Sequence, residues 1–353
     1  MIRFDNDYTT GAHEAILKRL METNDIQVSG YGTDPFCEAA SKLIREACQA
    51  PLADVHFLVG GTQTNKTVIA SMLRPHQAVI AAASGHIATN ETGAIEATGH
   101  KVVTLPSTDG KLYADEVEKL LGDHYVTGGN VHQAQPAMVY ISHPTEIGTL
   151  YTKAELERLQ LVCQRYDIPL FLDGARLGYG LVAKNTDVTL PVLANTCDAF
   201  YIGGTKVGAM FGEAVVIMNP LYKKDFRYMM KQGGALLAKG RLLGIQFETL
   251  FTDDLYKIIS KHAVDLALAI REAFLLKGIQ SFIDSETNQQ FFIMPNVVLA
   301  ELSKKYVFTI WQPYDETHTV IRLCTSWSTT KEDVTALISD VLSMEINTQS
   351  FVK

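Results

Sequence analysis

A series of short apolar runs, several of them separated by segments with helical spacing, limits this chain more than any other feature. DVHFLVGG (54–61), QAVIAAA (77–83), KVVTLP (101–106), AMVYISHP (137–144), IPLFLDGA (168–175), DAFYIGG (198–204) and EAVVIMN (213–219) have the length and β-branched content of parallel strands covered on both faces. EAASKLIREACQA (38–50) sets apolar residues three and four apart. TKAELERLQLVCQRYD (152–167) does the same, with Thr152 as a helix N-cap and Glu155 at capping-box spacing. Strand–helix alternation predicts an α/β fold: a large, mostly parallel sheet sandwiched by helices. The pattern changes after about residue 220. Residues 230–280 are strongly helical, and the remainder mixes strands (FFIMP, VVLAEL, TVIRLCTSW) with a final helix, KEDVTALISDVLSM. We therefore expect a large domain with an N-terminal arm over residues 1–246 and a smaller α+β C-terminal domain over 247–353.

Bulk properties narrow the chemistry. With 353 residues, 47% of them hydrophobic, there is ample chain for a sizeable core. A net charge of -8 gives no general attraction to phosphate backbones, so nucleic acid is excluded as a partner and small anions must be held by local positive groups. Cys37, Cys48, Cys163, Cys197 and Cys324 are scattered without a CxxC pair, which indicates neither a disulfide framework nor a metal site. Buried thiols in a reducing compartment fit best. MIRFDNDYTTG carries no apolar signal segment, and no run approaches the ~18 residues of a membrane span. The expectation is a cytoplasmic protein.

Four stretches carry chemical interest. In IPLFLDGAR, Asp173 follows a strand-like run, where open α/β sheets bind ligands. It reads either as a helix N-cap or as an acid holding a protonated ring nitrogen, with Arg176 three residues on. In YIGGTKVGAM, Lys206 reads either as an exposed turn lysine or as a partly desolvated Schiff-base lysine. Flanking Gly203, Gly204 and Gly208 would then let backbone pass close to a bulky ligand, and the Thr205 hydroxyl would reach a phosphate. LVGGTQTNK (58–66) is either a tight turn or a helix N-terminus that binds phosphate; it lacks P-loop spacing. His86, after the AVIAAA run, is either an ordinary hydrogen-bonded histidine or a platform for a planar ring with proton-transfer duty.

Taken in order, these parts match those of a fold type I pyridoxal phosphate enzyme. The chain resembles the threonine aldolase group of the β-eliminating lyase family through FDNDYTTGAH, YGTDPFCEAASKL, LVGGTQTN, SGHIATNETGAIEATGHKV, YISHPTEIGTLY, LFLDGARLG, GGTKVGA and IRLCTSW, which span nearly the whole sequence. The resemblance implies pyridoxal 5'-phosphate bonded to Lys206, with Asp173 on the ring nitrogen and His86 on the ring face. Gly61, Thr62 and Gln63 would cradle the phosphate, helped by Thr205. Arg176 and Arg322 would hold the substrate carboxylate, and His143 would lie near the substrate hydroxyl. Tyr31 would approach the site, often from a partner subunit. Asn6 stands where many members have serine. The implied reaction is cleavage of threonine to glycine and acetaldehyde, with His143, His86 or a water between them as base. β-Elimination or transamination on the same scaffold, and a non-catalytic phospholigand-binding protein, are the alternatives. The resemblance also implies a homodimer or homotetramer with active sites at the subunit interface, where Lys231, Lys239 or Arg241 would reach a neighbouring phosphate.

Overall fold

The computed structural model of the chain describes residues 1–125 and 131–344. Its strands are β1 (Ile2–Arg3), β2 (Asp54–Leu58), β3 (Gln77–Ala82), β4 (Lys101–Leu105), β5 (Gln135–Ser142), β6 (Leu170–Asp173), β7 (Ala199–Gly203), β8 (Glu213–Ile217), β9 (Gln280–Ser281), β10 (Gln289–Pro295), β11 (Tyr306–Val307), β12 (Thr309–Pro313) and β13 (His318–Cys324). Its α-helices are α1 (Glu14–Thr23), α2 (Pro35–Ala47), α3 (Gly61–Met72), α4 (His86–Thr89), α5 (Ala114–Tyr125), α6 (Lys153–Arg165), α7 (Leu177–Leu181), α8 (Leu190–Thr196), α9 (Phe226–Gln232), α10 (Arg241–Phe251), α11 (Leu255–Leu276), α12 (Asn296–Leu302) and α13 (Lys331–Ser343).

Among the described residues, the seven apolar runs all become strands of one sheet, in the order β2-β8-β7-β6-β5-β3-β4. β4, β3, β5, β6 and β7 are mutually parallel. β8 departs from the expected direction, running antiparallel to both β7 and β2. It returns from β7 through a short turn, which only an antiparallel pair permits. β2 thus points the same way as β7, and the carboxyl ends of β2, β3, β5, β6 and β7 share one edge with the start of β8. That edge is where ligand-binding loops collect in open α/β sheets. All of β7 and β8 is buried, as a sheet covered on both faces requires. The capping box predicted for α6 is present: Thr152 accepts from the Glu155 N–H, and Glu155 accepts from the Thr152 N–H.

The second unit is a four-stranded antiparallel sheet, β12-β13-β10-β9, packed with α11 and α13. VVLAEL, expected as a strand, is helix α12. Its β-branched start misleads, but Val298, Leu299 and Leu302 are buried at helical spacing while Val297 is exposed. The expected domain break at 246 falls inside α10. The two apolar cores meet instead along α11, where Ala263 and Val264 belong to the large core and Leu266, Ile270 and Phe274 to the small one. The first residues of the chain also pack with the small unit. β1 pairs in parallel with β11, and Phe4 is wholly buried in the small core. No helix among the described residues is long and apolar enough to cross a membrane. The five cysteines are free and buried.

Candidate active site

The shared strand edge closes around a cavity of about 260 Å³. Gly60, Gly61 and Thr62 line it from the start of α3, His86 from the start of α4, Ser142 and Glu146 from the end of β5 and just beyond it, Asp173 and Arg176 from the end of β6 and just beyond it, Thr205 and Lys206 from just after β7, and Glu213 from β8. Strand register explains this meeting. Ser142 lies opposite Asp173 and Gly203 opposite Glu213, so residues far apart in sequence arrive at one level.

Asp173 is 5% exposed and accepts four hydrogen bonds. Tyr201 Oη (2.5 Å) and the Ala175 N–H (2.9 Å) reach Oδ1, while Tyr140 Oη (2.6 Å) and Asn65 Nδ2 (3.0 Å) reach Oδ2. Burial alone would raise its pKa, but His86, the two phenols and the backbone donor outweigh burial and hold it below the usual carboxylate value. It is an anion fixed at a strand end, not a helix cap. The Lys206 pKa also moves down. Burial, and then the Arg176 charge, lower its pKa against the opposing pull of Asp7, Asp173 and Glu213, which favours a neutral, nucleophilic amine. Its Nζ donates no hydrogen bond among the described residues. Glu213, 3% exposed, takes the Gly204 N–H and the Thr205 hydroxyl, and burial pushes it up to about 8.

Helix α3 begins at Gly60 with no side-chain cap. The N–H groups of Gly61, Thr62 and Gln63 find no acceptor among the described residues. Three open amides at the N-terminus of a 12-residue helix form an anion site. Together with the unpaired Lys206 amine and the Asp173 anion in the same cavity, they fit pyridoxal 5'-phosphate.

Several expected residues are placed differently. The Gln63 side chain is spent on the Val59 N–H and the Gly233 carbonyl, leaving only its backbone amide for a phosphate. The Thr205 hydroxyl donates to Glu213 (2.8 Å) and accepts from the Gly212 N–H, because the β7–β8 pairing brings that carboxylate beside it. Gly203 and Gly204 do not make room for a ligand. A Cβ on Gly203 would meet the Ala175 carbonyl at 2.3 Å, and one on Gly204 the Gly212 carbonyl at 2.7 Å, so both let backbone pack on backbone. Gly208, at φ +86°, turns the chain against Ile259.

Arg176 is at the cavity, but its Nε and Nη2 are bound to Asp7 at 2.7 and 3.0 Å. Asp7 also accepts from Asn288 at 3.0 Å. Burial would raise Asp7, yet Arg176, then Lys206, and the bonds from Arg176 and Asn288 hold it at about 2. Arg322 reaches the same arm one step away, donating to the Asp5 carbonyl (2.8 Å), Thr309 and Gln289. The two arginines therefore converge on residues 5–7. Asn6 bonds Asp5 and the Tyr8 N–H and does not line the cavity; Tyr8 does. His143 is fully buried off the cavity wall, with Nδ1 accepting from the Tyr151 N–H, and burial lowers it to about 4, so the ring is neutral. Tyr31 lines a separate recess, under the Lys231 ammonium at 4.5 Å. Arg241 is bound to the Thr23 and Ile26 carbonyls of its own chain.

Sequence reasoning gave no role to Asp7, Asn65, Glu91, Tyr140, Tyr201 or Glu213. A glutamate opening an apolar strand, as in GEAVV, was a usable signal for Glu213. Glu91 accepts from His86 Nδ1 (2.8 Å) and Asn65 Nδ2 (2.8 Å) with its side chain fully closed to solvent. The start of α4 is held from the other side by Glu146, which takes the His86 N–H (2.8 Å) and the Ser142 hydroxyl (2.7 Å).

The chain is similar to known proteins in sequence and in fold. The beta-eliminating lyase family model matches residues 4–293. A low specificity L-threonine aldolase from a Pseudomonas species is 26% identical over 347 residues, covering 96% of each chain. The solved structure of a Leishmania major threonine aldolase is 44% identical and superposes with a TM-score of 0.94 over 97% of this chain and 98% of that one. A Thermus thermophilus aspartate aminotransferase solved with maleate, 13% identical, covers 96% of this chain and 90% of its own at a TM-score of 0.67, which places it in the same fold.

Proposed function

The chain belongs to the beta-eliminating lyase family, in its threonine aldolase branch, and from that premise we propose that it cleaves a β-hydroxy-α-amino acid, threonine or allo-threonine, to glycine and an aldehyde with pyridoxal 5'-phosphate. The observation that carries this reading is the buried, unpaired Lys206 facing the Asp173 anion across one cavity with open helix amides. When bound, the cofactor supplies an electron sink for the pair left on the α-carbon. Lys206 would bond it, Asp173 would pair with its ring nitrogen, His86 would lie against its ring, and the Gly61, Thr62 and Gln63 amides would hold its phosphate.

The remaining work falls to the chain's own side chains. Arg176 keeps Nη1 for the substrate carboxylate while Asp7 fixes its other edge, and Arg322 stands beside the same arm. Clamping the carboxylate sets which bond to the α-carbon is broken. His86 is the base at the cavity, since His143 is sealed behind its wall. We take the enzyme to work as a homodimer or homotetramer in the cytoplasm. Five reduced, buried thiols support the compartment. Arg241 is committed within its own chain, which leaves Lys231 and the exposed Lys239 as the candidates for a neighbouring phosphate.

The test compares the visible absorption of wild type and Lys206→Ala after adding pyridoxal phosphate, then assays acetaldehyde and glycine from threonine. A lysine-bound cofactor band in wild type alone, with both products, supports the proposal. Ammonia and a 2-oxo acid instead would assign β-elimination, and no band would leave a ligand-binding protein.

A further inference from the structure

A line of hydrogen bonds runs behind the cavity wall and joins its two best-placed groups. His86 Nδ1 meets Glu91 Oε1 at 2.8 Å. The same oxygen accepts from Asn65 Nδ2 at 2.8 Å, and that amide nitrogen also donates to Asp173 Oδ2 at 3.0 Å. Asn65 is wholly buried on the first turns of α3, and the Glu91 side chain is closed to solvent. Glu91 Oε2 has no partner among the described residues, and neither has Asn65 Oδ1. A glutamate kept only to tie down its loop would spend both oxygens. This one directs a single oxygen at a ring nitrogen and an amide.

The chain of donors fixes a proton. An amide nitrogen cannot accept a hydrogen bond, so both oxygens facing Asn65 Nδ2 are acceptors. As a carboxylate, Glu91 has no hydrogen to give, so in its contact with His86 the hydrogen belongs to Nδ1. In the neutral imidazole Nε2 then carries the lone pair. His86 lines the cavity, and with Nδ1 turned inward Nε2 is the nitrogen left to face it.

We propose that Glu91, held by Asn65, is a positioning residue for the cleavage: it locks His86 in the Nδ1–H tautomer and so presents Nε2 as the base for the substrate's β-hydroxyl. This rests on the aldol-cleavage reading above. In the step, the hydroxyl proton passes to Nε2 and the O–H pair becomes the second C–O bond of the leaving aldehyde. The Cα–Cβ pair stays with the glycine fragment, which later takes one proton at its α-carbon. Glu91 compensates the imidazolium that forms, as an acid behind a catalytic histidine does.

Two measurements test it. Selective ¹⁵N labelling of histidine in the cofactor-loaded protein, with His86→Asn to assign the signal, reads the tautomer directly and needs no turnover. We expect a protonated Nδ1 and an unprotonated Nε2; the reverse assignment overturns the proposal. The second measurement is the kinetics of Glu91→Gln, Glu91→Asp and the double variant Glu91→Gln/His86→Asn. Glu91→Gln should lower kcat about 100-fold, within the span of general-base effects, with KM and the visible cofactor band little changed. Glu91→Asp should recover part of the loss, and the double variant should be no slower than His86→Asn alone. Unchanged kcat in Glu91→Gln, or losses that multiply in the double variant, sink it. If wild type releases no aldehyde from threonine, the aldol reading fails, while the tautomer measurement still decides whether Glu91 sets the ring.

Discussion

Replacing Asp7 with asparagine should destabilise the protein far more than a typical change in an N-terminal arm. Asp7 is 1% exposed and meets the Arg176 guanidinium through two bonds, at 2.7 and 3.0 Å, while Asn288 of the small unit holds the same carboxylate. The fall of the Asp7 pKa from 3.8 to about 2 corresponds to ~2 kcal/mol of folded-state stabilisation at neutral pH. Asparagine keeps the shape but leaves the guanidinium buried without a counter-charge, for which losses of about 3–5 kcal/mol are usual. We expect ~2–4 kcal/mol by urea denaturation of the cofactor-free protein at pH 7. The sign of the pH effect is fixed. A carboxylate with a depressed folded pKa contributes its full stability above the unfolded value and loses it as pH falls through the folded one. The gap between wild type and Asp7→Asn should therefore hold above about pH 4 and shrink as pH falls from 3.8 toward 2. The double variant Asp7→Asn/Arg176→Gln removes both buried charges and should regain most of the loss. A single-variant cost under ~1 kcal/mol, or a double variant as unstable as the two singles summed, would refute the buried pair as the anchor of the arm.

Two further outcomes follow from the strand-end packing. Glu213 is pushed from 4.5 up to about 8, chiefly by burial. A raised folded value means stability that is complete below the unfolded pKa and lost as pH rises, so Glu213→Gln should gain on wild type across pH 4.5 to 8 in thermal melts of the cofactor-free protein; parallel curves would contradict the assignment. Gly203→Ala would drive its methyl onto the Ala175 carbonyl. It should cost about 1–3 kcal/mol or more in urea and weaken cofactor retention by displacing the segment beside Asp173, whereas an alanine accepted without loss would show that the backbones can part.

Much of the fold was legible because a sheet covered on both faces leaves continuous apolar runs, and seven of these became seven strands. The direction of β8 was not, since apolar content is the same either way and only the short return from β7 decides it. Lys206 and Asp173 were legible because polar residues at the ends of such runs have few structural reasons to be there. Asp7 was passed over for Asn6 because neighbours in an extended arm differ only in which side they face. Glu91 lies in a loop with no periodicity, so nothing local separates it from a solvated glutamate; its meaning comes from Asn65, 26 positions earlier. The glycines around Lys206 were read as space for a ligand when they are space for neighbouring backbone and for helix α11, a distinction that only the tertiary neighbours make.

The arm has a bearing on the order in which the protein can be made. Residues 2–7 reach Tyr306 and Val307 by strand pairing, Arg322 through the Asp5 carbonyl, Cys324 through the Phe4 carbonyl, and Asn288 through Asp7. A ribosome releases residues 2–7 long before these partners, which lie far along the sequence. The large sheet can form while synthesis continues, but Asp7 cannot be clamped from both sides, nor Arg176 finally set, until the strand carrying Arg322 has emerged. The pocket is thus completed when the arm and the small unit close upon each other, and a nascent chain stalled before residue 306 should hold its sheet without a finished substrate site.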